Sequence, residues 1–117
     1  MPFIVDTVLD VPLNEDSVLE FDVTLDGNVM DVTGCSFLFL AKINRDDTDG
    51  NAVITKVSSD STQLRIINAG AGVVYVYLTA GDLPNLLPTQ PLYFQLRITA
   101  TDGRTGVVLS GYLLIKP

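Results

Sequence analysis

An all-β sandwich is the fold class this sequence predicts, and three observations predict it. Leu19, Phe21, Val23 and Leu25 alternate with Glu20, Asp22 and Thr24, so one face of a strand is apolar and the other polar. The cadence returns at Leu92, Phe94, Leu96 and Ile98, with Tyr93, Gln95, Arg97 and Thr99 between them. Between such runs stand short turns rich in Gly, Asp and Asn, above all Asp26-Gly27-Asn28 and Asp102-Gly103-Arg104-Thr105-Gly106. Seven to eight strands at this spacing suit two packed antiparallel sheets.

Taken in order, Phe3 to Val11 forms an edge-like strand that Pro12 ends, because proline cannot donate to a ladder. A polar link leads to the strand from Val18 to Leu25, and Val29 to Thr33 is a short connection ending at Gly34. In Cys35 to Ile43, Phe37, Phe39, Ala41 and Ile43 share one face while Leu38 and Leu40 take the other. Apolar residues on both sides imply a central strand covered twice, either by a flanking loop or by another subunit. Strands follow at about Ala52 to Val57, Gln63 to Ile67 and Val73 to Thr79. Thr79-Ala-Gly-Asp82 has the spacing of a helix capping box, and Pro84 and Pro88 hold any helix there to about one turn. The last two strands run from Leu92 to Thr101 and from Val107 to Lys116 around a bulged or lengthened hairpin loop. The chain divides into residues 1–16, an edge strand and link able to act as a docking arm, and residues 17–117, the sandwich.

At 117 residues the chain is one domain, large enough to bury its own core without a metal or disulfide staple. Cys35 is the single cysteine, which excludes an internal disulfide and a cysteine-rich zinc site and marks a structural thiol. The net charge of −7 is unevenly spread: residues 1–40 carry eight acids and no Lys or Arg, whereas residues 61–117 carry two acids and four bases. Such a surface repels phosphate backbones and anionic lipid, so neither nucleic acid nor membrane is an expected partner. The acidic pole is a solubilising face or a dock for a basic protein surface, including the mildly basic end of a second copy. No apolar run is long enough to span a bilayer, and the N-terminus lacks the basic region, apolar stretch and small-residue cleavage site of a secretory signal, so synthesis in a cytoplasm is expected.

Without histidine the chain lacks the commonest general base, the usual partner of a nucleophilic Ser or Cys, and the commonest metal ligand. No enzyme is expected, and no catalytic, cofactor or metal residues are assigned. Asp46-Asp47-Thr48-Asp49-Gly50-Asn51 has the composition of a calcium loop but not its spacing: counted from Asp47, glycine comes fourth and the twelfth residue is Ser58. Two groups remain as interface candidates. Phe3, Ile4 and Val5 lead into an edge strand and suit strand addition or hydrophobic docking. Tyr75 and Tyr77 share a face with Val73 and Thr79, opposite Val74, Val76 and Leu78; that row is either a contact surface or the second covered face of an inner strand.

The segments Val18-Leu-Glu-Phe-Asp-Val-Thr-Leu-Asp-Gly27, Val32-Thr-Gly-Cys-Ser-Phe-Leu-Phe-Leu-Ala-Lys42, Gly72-Val-Val-Tyr-Val-Tyr-Leu-Thr79 and Leu96-Arg-Ile-Thr-Ala-Thr-Asp-Gly103 together resemble the immunoglobulin-like domains of tailed-phage virion proteins. They resemble in particular the N-terminal domain of the baseplate upper protein family, and the likeness covers roughly Ser17 to Pro117. It implies an immunoglobulin-like antiparallel sandwich, a place in the virion, other virion structural proteins as partners, and homo-oligomers. Since no fibre or lectin head follows before Pro117, the expected role is docking on the capsid, tail or baseplate, where the chain stabilises or decorates the particle. A module that binds carbohydrate or a host surface, with a glycan as partner, is the alternative that the tyrosines support.

Overall fold

In the computed structural model, residues 6–12, 15–25, 28–44, 46, 48, 50, 52–82 and 91–116 are described. Strand β1 (Asp6–Pro12) is followed by β2 (Ser17–Asp22), the two-residue pair β3 (Thr24–Leu25) and β4 (Asn28–Val29), and β5 (Ser36–Lys42). Then come β6 (Ile54–Val57), β7 (Leu64–Asn68), β8 (Val73–Leu78), β9 (Pro91–Thr99) and β10 (Thr105–Lys116). Five strands form one sheet in the order β1-β10-β9-β5-β6, and three form the other in the order β2-β8-β7. Every pairing is antiparallel except β1 with β10, which is parallel. This order is that of an immunoglobulin-like sandwich: β10, β9, β5 and β6 stand where strands G, F, C and C′ stand, and β2, β8 and β7 where B, E and D stand.

Period-two alternation puts one face of each sheet into a shared core. From the larger sheet come Val11, Phe37, Phe39, Leu92, Phe94, Leu96, Leu113 and Ile115; from the smaller come Leu19, Phe21, Leu64, Val74, Val76 and Leu78. Antibody domains join the B, C and F positions with a disulfide and a tryptophan. Here the same three strands contribute Phe21, Phe39 and Phe94, whose ring centroids lie 5.6 to 6.1 Å apart. Each aromatic pair adds about 0.5–1.5 kcal/mol beyond the area it buries, so packing serves where a covalent bond is missing. Cys35 takes no part in that centre and lies half-buried at the core margin, not fully inside it.

The expected long strand from Val18 to Leu25 is interrupted at Val23. Its amide donates to the Gly72 carbonyl (2.8 Å) and its carbonyl accepts from the Met30 amide (3.1 Å), which redirects the chain into the β3-β4 pair. Gly72 is at φ 70°, and a Cβ there would sit 2.6 Å from the Val23 carbonyl oxygen and 2.7 Å from that of Met30. Only glycine satisfies both the conformation and the approach. Ile43 ends outside β5 and is exposed, so the face of Phe37, Phe39 and Ala41 stops one alternation earlier than the sequence suggests.

The edge-like first strand is found at the rim of the larger sheet, with Val11 fully buried against the core. As β1 it pairs in unbroken register with β10, from Asp6 with Ser110 to Pro12 with Lys116. Phe3, Ile4 and Val5 lie outside the described residues. The capping spacing at Thr79 forms as expected: Ala80–Asp82 is a single 3-10 turn, and Asp82 Oδ2 accepts the Thr79 amide at 2.7 Å. No helix among the described residues is long and apolar enough to cross a membrane.

Candidate functional site

The two outer faces of the sandwich differ in how far the chain closes them by itself. On the larger sheet the register sets Leu40 beside Gln95, Lys42 beside Tyr93 and Tyr93 beside Tyr112. Arg97 donates through Nε and Nη2 to Gln95 Oε1 (3.1 and 2.8 Å), and Gln95 Nε2 donates to the Tyr93 hydroxyl (3.2 Å). Tyr93 meets the Tyr112 ring edge-on at 5.7 Å. Within this row Leu40, Lys42, Tyr93 and Ser110 are buried in the single chain. The second cover expected over β5 is therefore provided for Leu40 without another subunit.

The smaller sheet is more open. Pairing of β2 with β8 places Val18 beside Tyr77, Glu20 beside Tyr75 and Asp22 beside Val73, and β7 adds Arg65 beside Tyr75. Along β8, half-buried Val73, Tyr75 and Tyr77 alternate with buried Val74, Val76 and Leu78. The row of Val73, Tyr75 and Tyr77 is thus the outer face of the inner strand of this sheet, and it is half-buried in the single chain. Val18 is 54% exposed on this face, and Ile67 is 44% exposed in the bulge that breaks the register between Ile66 and Asn68. The tyrosine rings meet edge-on, centroids 6.4 Å apart. The Tyr75 hydroxyl is held above its ordinary pKa first by the negative charge of Glu20 and then by a hydrogen bond to that carboxylate. The result is an apolar and aromatic strip flanked by the carboxylates of Glu20 and Asp22.

Two arrangements escaped the sequence reading. Lys56 faces inward from β6, opposite Phe39, and its ammonium lies 2.9 Å from Asp82 Oδ2. Burial pushes the Asp82 carboxyl up, but the hydrogen bonds from Lys56 and Thr79 and the Lys56 charge outweigh it, so its pKa falls below the ordinary value. The pair ties an edge of the larger sheet to the turn that leaves the smaller one. A lysine at a core-facing parity, between Ile54 and the polar turn, was the signal available. The second is the outer edge of β2, with which no strand among the described residues pairs and which only the strand order reveals.

The calcium-like loop is described only at Asp46, Thr48 and Gly50, all exposed. Among the described residues, no group of three or more His, Cys, Asp or Glu is placed to hold a metal ion.

No protein-family model and no curated protein matches the chain. Among solved structures it is similar to the crystal structure of the ZIG-8–RIG-5 IG1–IG1 heterodimer, at 10% identity and a TM-score of 0.47, over 97% of this chain and 84% of that one. The immunoglobulin-like class stands on the strand order and register of the chain itself.

Proposed function

We propose that this chain is a non-enzymatic structural protein of a tailed-phage particle, which docks on the capsid, tail or baseplate and stabilises or decorates it. The observation that carries the docking role is the half-open outer face of the three-stranded sheet, where Val18, Ile67, Tyr75 and Tyr77 leave apolar surface beside Glu20 and Asp22. The phage setting rests on the sequence resemblance from Ser17 to Pro117. The mechanism is burial of that face against neighbouring subunits, with other virion proteins and further copies of this chain as partners. Phe3, Ile4 and Val5 supply a second contact. Quantitative mass spectrometry of gradient-purified particles tests the setting: the chain is expected in many copies per particle, and its absence would sink the proposal. Light scattering tests self-association, with a mass above the 12.6 kDa monomer expected. A monomer at every concentration would restrict the partners to foreign proteins.

A further inference from the structure

Each sheet edge of the sandwich invites another strand, because an edge strand carries a row of unused backbone donors and acceptors. Among the described residues the two main sheets have four edges, and three of them carry a break or an inward charge. The β1 edge ends in Pro12; β6 has only four residues and points Lys56 inward; β7 is bulged between Ile66 and Asn68. The fourth edge, β2, is six residues long, keeps unbroken register with β8, and contains neither proline, lysine nor bulge. Among the described residues nothing pairs with its outer side.

We propose that the free edge of β2 is a strand-addition site for an extended segment of a partner protein in which apolar residues alternate with Lys or Arg. A strand laid beside β2 sets its side chains opposite those of β2 on each face. On the core side these are Leu19 and Phe21, which call for apolar neighbours. On the outer side they are Val18, Glu20 and Asp22, and two carboxylates at alternate positions call for cations. The same carboxylates disfavour a second copy: antiparallel pairing of two β2 strands sets acids against acids, in a chain whose first 40 residues hold no Lys or Arg. This site does not depend on the virion setting, since edge, register and charge belong to the domain alone.

The test uses the full chain and a peptide of alternating valine and lysine long enough to span Ser17–Asp22. Amide exchange by NMR is expected to slow at alternate β2 residues when the peptide is added. A peptide of alternating valine and glutamate is expected to bind at least about tenfold more weakly. The Glu20→Lys, Asp22→Lys double variant, changed only at outward positions, is expected to reverse that preference, and its unaltered β8 spectrum would confirm that it folds. Three results would overturn the proposal: no binding at about 1 mM peptide, equal binding of a peptide with the lysines and valines in separate blocks, or β2 amides already protected in the free chain and released by deleting residues 1–5. The last would give the edge to the chain's own N-terminus.

Discussion

Removing the Phe39 ring leaves a void between Phe21 and Phe94, which pack against it at 6.1 and 5.6 Å from opposite sheets and the neighbouring strand. Phe39→Ala is expected to cost about 3–5 kcal/mol in urea unfolding, the range for a fully buried aromatic; a loss near that of a surface site would mean the trio does not unite the sheets. At Gly72, positive φ and two backbone oxygens within 2.7 Å leave no room for a methyl group. Gly72→Ala is expected to cost about 1–3 kcal/mol or more, read from the same unfolding curve. Asp82 gives a prediction in pH. Because its folded pKa lies below its unfolded one, its contribution is complete above about pH 4 and fades as pH falls through the folded value. The stability gap between wild type and Asp82→Asn should shrink in acid, and a gap independent of pH would mean that the Lys56 pair does not form in solution.

Strands were legible where one face is core and the other is wet. Leu19, Phe21, Leu92, Phe94, Leu96 and Ile98 all lie where alternation puts them. The interruption at Val23 was hidden, because its cause is a hydrogen bond to Gly72, almost fifty residues away in sequence and invisible to any local window. Burial of Leu40 was legible but its cover was not, since only the β5-β9 register shows that Gln95 stands beside it and joins Arg97 and Tyr93 in one hydrogen-bonded row. The candidate site was half legible: the tyrosines stood out in sequence, while Val18 and Glu20 became their neighbours only through β2-β8 pairing. Deleting residues 1–5 stops short of β1 and is expected to leave the unfolding transition cooperative, whereas deletion through Leu9 removes most of a strand paired with β10 and should lower stability sharply.

For the whole molecule, the sandwich separates what holds it together from what it offers. The Phe21, Phe39 and Phe94 centre and the Lys56–Asp82 tie span the two sheets, and Arg97, Gln95 and Tyr93 form one hydrogen-bonded row on the larger one. On the three-stranded sheet an acidic and aromatic strip faces outward beside the β2 edge, with which nothing pairs among the described residues. Sequence composition conveyed the acidity of this pole, but only the fold gathers it beside Tyr75 and Tyr77. The claim that this sheet is the docking surface is tested most directly by co-sedimentation of the purified chain with virions that lack it. Wild type should bind saturably, and the folded Val18→Asp, Tyr77→Asp variant should stay in the supernatant. Binding by the variant equal to wild type, or no binding by either, would contradict it.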